Sequence, residues 1–130
     1  INYAQVAEYL VKNKGLHVLI TGVYQEKELA NQILAYASKK SKIIDATGVF
    51  DISEMIAAIS NAKIIIVPDT GMGHIAAALE TPLVNIMSLF SPKEWGPIGN
   101  KDKIENIYNK KSLNQISVQE VINSINKLLN

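Results

Sequence analysis

Ile64-Ile65-Ile66-Val67 is an unbroken run of β-branched residues that stops dead at Pro68-Asp69-Thr70-Gly71. A strand with no polar position has no solvent face, so it suits the interior of a sheet covered by helices on both sides. The sequence then turns at once into an alanine-rich stretch, Ile75 to Glu80, whose composition favours helix. Strand, tight polar loop and helix N-terminus thus follow one another without a spacer. Such a loop presents unpaired backbone N–H groups and the positive end of a helix dipole, which suits an anion. Thr70 stands where it can cap the helix, and Gly71 and Gly73 let a phosphate approach the backbone with no Cβ in the way. Geometry alone equally supports a capped turn that binds nothing, because α/β proteins contain many of them. The sharper reading rests on Asp69, Thr70, two glycines and His74 occurring together.

Periodicity extends the same alternation along the chain. A helix is expected between Asn2 and Lys14, with Tyr3, Val6, Tyr9 and Leu10 on one face. Leu16 to Ile20 reads as a strand ending at Thr21-Gly22, and Gln25 to Ser38 as a helix with Leu29, Ile33, Leu34 and Ala37 inward. Lys42 to Ala46 is a second strand, ending at Thr47-Gly48. Asp51 with Glu54 signals a helix start, and that helix runs to about Asn61. The Lys63 strand is third, and Leu83 to Met87 is fourth. Ser91-Pro92 and Trp95-Gly96-Pro97 mark a loop with a short turn, and Ile104 to Tyr108 a fifth strand. Ser117 and Glu120 box a final helix that buries Val118, Val121, Ile122, Ile125, Leu128 and Leu129. Alternating strands and helices predict a Rossmann-like α/β fold, a parallel sheet of four or five strands with helices on both faces. Ligands in such sheets lie beyond the strand carboxyl ends. Thr21-Gly22, Thr47-Gly48, Asp69-Thr70-Gly71 and Ser88 should therefore gather on that rim.

Composition narrows the chemistry. At 130 residues and 48% hydrophobic, the chain reads as one globular domain over 1–130 with enough length for a core. A net charge of +1 gives no electrostatic case for nucleic acid. All 13 basic residues are lysine. With no guanidinium fork available, anion binding falls to backbone N–H groups, hydroxyls and lysine point charges. Zero cysteine removes disulfides, thiolate catalysis and cysteine metal sites, and agrees with a cytosolic setting. No apolar run approaches the roughly 18 residues of a membrane span. The chain opens at Ile1 directly in a helix-like segment, which reads as a piece of a longer protein.

Familiar motifs drop out in turn. No G-x-G-x-x-G follows the first strand, no G-x-x-x-x-G-K-[ST] occurs, and no G-x-S-x-G elbow is present. His17 and His74 are too far apart to suggest a metal site, so no metal is expected. His17 lies in a strand-like run and reads as a packed or surface residue. His74 falls in the first turn of the helix facing the candidate anion loop, where an imidazole can donate to a phosphate or a sugar hydroxyl. A satisfied packing role suits it nearly as well. Trp95 reads as a loop anchor more than as a ligand platform.

Several of these stretches together resemble glycosyltransferase family 9, the ADP-heptose:lipopolysaccharide heptosyltransferases and their relatives. They are Ile43-Ile44-Asp45-Ala46-Thr47-Gly48, then Ile52 to Ile59, then Asp69-Thr70-Gly71-Met72-Gly73-His74-Ile75-Ala76-Ala77-Ala78, then Thr81-Pro82-Leu83-Val84. The family's D-[ST]-G-x-x-H-x-x-A-A pattern, followed by a small residue, Pro and an apolar strand, is filled here in order. Leu19-Ile20-Thr21-Gly22 with Glu26 and Glu28 is similar to the family's strand, glycine and acidic helix start. Ser88 departs from it, standing where the family usually carries Gly. The resemblance runs from about Tyr3 to the last helix.

The resemblance implies the C-terminal, donor-binding half of a GT-B glycosyltransferase whose N-terminal acceptor domain, with its acidic catalytic residue, lies outside this chain. Thr70, Gly71 and Met72 would meet the diphosphate, Asp69 the sugar, and the Gly22–Glu26 turn the ribose side. Val49 and Phe50 would lie against the base, with Thr21, Gly73 and His74 completing the donor site. The substrate implied is an ADP-sugar, ADP-heptose by family, with no further cofactor. The acceptor would be lipopolysaccharide core at the cytoplasmic face of the inner membrane. The transfer would invert the anomeric centre and need no metal, and this chain alone would be inactive. The family places a further strand upstream, between the Leu16 and Lys63 strands. Those two are then expected to pair directly, or the incomplete sheet to recruit a second copy. Two rivals remain at this point: another sugar-nucleotide enzyme such as an epimerase-like protein, and a non-catalytic α/β interaction module.

Overall fold

The computed structural model describes residues 2–38 and 42–130. Its residues group into two compact units, 2–53 and 54–130.

The first unit opens with α1 (Tyr3–Asn13), where the Asn2 side chain caps the first turn by accepting from the Gln5 N–H at 3.3 Å. Gly15, at φ +68°, turns the chain out of α1 into β1 (Val18–Ile20). A short 3-10 turn over Tyr24–Glu26 leads into α2 (Lys27–Tyr36), and β2 (Ile43–Asp45) follows. β1 and β2 pair in parallel, Val18 opposite Ile43 and Ile20 opposite Asp45. Ala7, Val11, Ala37 and Ile43 form the buried centre, with Val18, Ile20, Ile33 and Leu34 packed against it. Ala30 is buried, whereas Leu29, expected inward, is 58% exposed. Positions 30, 33, 34 and 37 are the i, i+3, i+4, i+7 set of one helical face, and 29 lies one residue outside it.

The second unit takes most of α3 (Ile52–Asn61), then β3 (Ile65–Pro68), α4 (Gly71–Ala78), β4 (Leu83–Ser88), the one-turn α5 (Pro92–Trp95), β5 (Ile104–Asn109) and α6 (Val118–Leu129). Its sheet has the order β3-β4-β5, all parallel. β4 is central, and Leu83 through Met87 are buried without exception, as a strand flanked on both edges and both faces must be. Ile59 of α3 and Ala76 and Ala77 of α4 pack with Leu83 on one face. Glu105 lies opposite Val84, whose side chain alternates to the other face. There α6 arrives, with Ser124 and Lys127 reaching the Glu105 carboxylate at 3.4 and 3.1 Å and Val121 and Ile125 fully buried. Helices therefore cover both sides of this sheet.

All five expected strands form and every pairing is parallel. Their grouping differs from a single sheet: two strands in the first unit, three in the second.

Candidate functional site

Pro68 is paired with Ile86, so the segments leaving the carboxyl ends of β3 and β4 emerge side by side. They bound a cavity of about 280 Å³ lined by Asp69, His74, Phe90 and Trp95. Asp69 is the first residue beyond β3 and His74 the fourth residue of α4; both are exposed. In this unit the strand ends gather as expected, with Asp69–Gly71 beside Ser88.

Between Asp69 and His74 the residues divide by role. Thr70 holds the cap position in extended backbone, at φ −143° and ψ 165°, but its side chain makes no capping bond. Its carbonyl accepts the Gly73 N–H at 3.1 Å. The N–H groups of Gly71 and Met72 open α4 without a side-chain cap, the condition in which a helix start receives an anion. A Cβ on Gly71 would meet nothing within 4 Å, so the approach to this backbone is open. Gly73 differs: it is buried, and a Cβ there would sit 3.1 Å from Asn85 Oδ1 and 3.5 Å from Pro97 and Val67. Close packing of α4 on β4 thus gives this glycine a second reason to lack a Cβ, beside the phosphate approach expected of it. The Met72 side chain packs against the core cluster, leaving its backbone as the part a ligand can meet.

The far wall comes from the segment after β4. Phe90 N–H donates to Ser88 O at 2.8 Å across Leu89, which sits at φ +69°. This is a three-residue turn in its rare, strained form. Ser91 then caps α5, accepting from Lys93 N–H at 3.3 Å through its hydroxyl and from Glu94 and Trp95 N–H at 3.0 Å through its carbonyl. The Phe90 and Trp95 rings stand edge to face, centroids 6.0 Å apart and planes at 61°. Trp95, read from sequence as a loop anchor, packs on Phe90 in this way while remaining 62% exposed. Phe90 was missed as a site residue because an isolated Phe in a Ser/Pro loop carries no periodic signal; only strand adjacency puts it beside Asp69.

The first unit carries the remaining expected residues. Thr21 and Gly22 follow β1, and the Gly48 N–H donates to Gly22 O at 2.8 Å, stitching the loops beyond β1 and β2 together. Gly48 is at φ +73°, and a Cβ there would lie 3.0 Å from Tyr24 Cα, so backbone and space both favour glycine. Val49, beside it, is 61% exposed and Phe50 half-buried. Glu26 folds back to accept the Val23 N–H at 2.9 Å through Oε2. Behind this rim Lys27 meets Asp45 at 2.7 Å, and together with the Thr47 N–H it holds the Asp45 carboxyl down to about 2. Among the described residues no group of three His, Cys, Asp or Glu comes together as a metal site would need. No described helix is long and apolar enough to cross a membrane.

Comparison with known proteins adds independent findings. The sequence profile of glycosyltransferase family 9 (heptosyltransferase) matches residues 1–123. Lipopolysaccharide heptosyltransferase 2 of Salmonella typhimurium is 28% identical over 98% of this chain, and the Escherichia coli protein of the same name matches equally. The chain spans 41% of the length of each. The solved structure of E. coli ADP-heptose lps heptosyltransferase II superposes with a TM-score of 0.87 and 29% identity, covering 98% of this chain and 40% of that one. A family 9 glycosyl transferase from Veillonella parvula, at 22% identity and a TM-score of 0.86, shares the fold.

Proposed function

The chain belongs to glycosyltransferase family 9 (heptosyltransferase), and from that premise we propose that it is the donor-binding part of an enzyme that transfers a sugar from an ADP-sugar. The observation that carries this reading is the uncapped start of α4 behind an unobstructed Gly71, with Asp69 and His74 opening on the same cavity. The N–H groups of Gly71 and Met72 would receive the diphosphate. Their fixed dipoles stabilise charge that grows on the departing nucleoside diphosphate as the glycosidic carbon–oxygen bond breaks. Asp69 would accept hydroxyl protons of the sugar and His74 would donate to a hydroxyl or phosphate oxygen. Thr21, Gly22 and Glu26 would meet the ribose, and Val49 and Phe50 the base.

The curated relatives are more than twice the length of this chain. The acceptor hydroxyl and the base that deprotonates it are therefore assigned to a separate domain. On this reading the complete enzyme inverts the anomeric centre, adds heptose to lipopolysaccharide core at the cytoplasmic face of the inner membrane, and needs no metal or other cofactor. The chain alone binds donor weakly and transfers nothing, because only part of the site is present.

Titration of the chain with ADP and UDP, with and without Mg²⁺, tests the proposal. Weak, Mg²⁺-independent binding that favours ADP supports it. Tight binding that requires Mg²⁺, or a preference for UDP, overturns it in favour of another sugar-nucleotide enzyme. If no nucleoside diphosphate raises the unfolding temperature, the loop is a turn in an interaction module.

A further inference from the structure

Two of the four residues lining the cavity beyond β3 and β4 carry no charge to offer a diphosphate. Phe90 and Trp95 are large and apolar, yet 56% and 62% exposed. Neither position is incidental. Leu89 holds a left-handed conformation at φ +69° to aim Phe90, a cost of the kind that persists where it fixes a functional side chain. Trp95 is set by a capped single turn, which ends at Gly96, where a Cβ would collide with the Pro92 carbonyl. The local backbone is built to hold two rings out toward solvent, with Asp69 and His74 across from them.

We infer that Phe90 and Trp95 form the apolar wall of the subsite for the transferred sugar ring, a proposal that rests on the donor reading above. A sugar ring is amphipathic: its faces carry C–H groups and its perimeter hydroxyls. An aromatic pair in edge-to-face array offers one ring face to the C–H groups while the other ring closes the side. Asp69, acceptor-only when ionised, takes hydroxyl protons, and His74 can both donate and accept. A phosphate is disfavoured at the ring wall itself, because the Asp69 carboxylate across from it would repel an anion and neither ring carries a positive charge to offset that. At about 280 Å³ the cavity lies at the small end of ligand pockets, which run from roughly 300 to 1,000 Å³. It suits one ring, not a whole nucleotide sugar. The two rings thus become specificity residues: they contribute to affinity for the sugar and nothing to affinity for the nucleotide.

Trp95 is the chain's only tryptophan, so its emission reports directly on this wall. The test is titration of the chain with adenosine, ADP and ADP-heptose, following Trp95 fluorescence in the wild type and NMR shifts in the wild type, Trp95→Ala, Trp95→Phe and Phe90→Ala. ADP-heptose should change the emission, while ADP alone leaves it nearly unaltered. Trp95→Ala and Phe90→Ala should each raise the Kd for ADP-heptose by roughly three- to tenfold and leave that for ADP within about twofold. Trp95→Phe should restore most of the loss. Equal weakening of ADP and ADP-heptose, or no weakening of either, overturns the sugar wall and spares the donor reading. An emission change with adenosine as large as with ADP-heptose also overturns it, since the rings would then stack on a base. Failure of the wild type to bind ADP and ADP-heptose alike overturns the donor reading and this inference together.

Discussion

Two glycines in one loop illustrate how far residue type determines role. Both were visible as places without a Cβ, and the structure separates them by what that Cβ would meet: nothing at Gly71, Asn85 at Gly73. Gly71 is not in the left-handed region, so a side chain there causes no backbone strain. Gly71→Val should leave the fold intact and change stability by less than about 1 kcal/mol, while weakening ADP binding by at least about tenfold, because its methyls would occupy the phosphate approach. Gly73→Ala should instead forfeit the stability that an alanine ordinarily adds to a helix, about 1 kcal/mol, because its Cβ crowds the Asn85 side chain. Urea unfolding beside ADP titration distinguishes the two. Unchanged ADP affinity in a folded Gly71→Val protein would count against a phosphate cradle.

Element boundaries depend on caps, and α4 and α6 show one that sequence reveals and one that it hides. Ser117 and Glu120 make the expected reciprocal box at the start of α6, Ser117 N–H donating to the Glu120 carboxylate at 2.8 Å and Glu120 N–H to the Ser117 hydroxyl at 3.2 Å. Ser117→Ala should cost about 1 kcal/mol, read from the urea midpoint. At the end of α4, Glu80 N–H donates to Ala77 O at 3.1 Å and Thr81 N–H to Ala76 O at 3.0 Å, with Glu80 at φ +54°. That cap ordinarily carries glycine, and nothing in the local sequence marks a glutamate as left-handed. Glu80→Gly should therefore stabilise by up to about 1 kcal/mol. The exposed pair it loses, Lys103 at 3.4 Å, is worth no more than about 0.5 kcal/mol. A lower urea midpoint for Glu80→Gly would show that the ion pair outweighs the strain.

Acid sensitivity is a property of the whole molecule, because its carboxylates titrate in parallel. Lys12 and Ser38 hold Glu8 down to about 2, Lys27 and Thr47 do the same for Asp45, and Ser117 lowers Glu120. Each is depressed below its ordinary value, so the unfolded chain binds more protons as pH falls. Their stabilisation is complete above the ordinary values of 4.5 and 3.8 and is lost as pH drops toward about 2. Urea midpoints should stay nearly level from about pH 7 to about pH 5 and decline steadily below that. Asp45→Asn should be less stable than the wild type near neutral pH and show a shallower decline in acid. A decline of unchanged slope would remove the Lys27–Asp45 pair from the account.

The sequence by itself determined the elements, their order and the loop at the centre of the site. An apolar run such as Ile64 to Val67 marks a strand, although β3 stands at the edge of its sheet and half-buried where the run alone suggested the interior. A capping box or a strand–loop–helix junction depends on neighbours a few residues apart. The family was equally legible, because Asp69, Thr70, Gly71 and His74 fall within one short segment. Tertiary structure alone decided how five parallel strands divide into a pair and a triplet, since ladders join residues far apart in the chain and local pattern does not rank partners. It also decided that Gly73 packs while Gly71 stays open, and that Phe90 and Trp95 reach the cavity of Asp69 and His74. Those outcomes follow from adjacency of β3 and β4, a relation between segments about twenty residues apart that no single stretch of sequence contains.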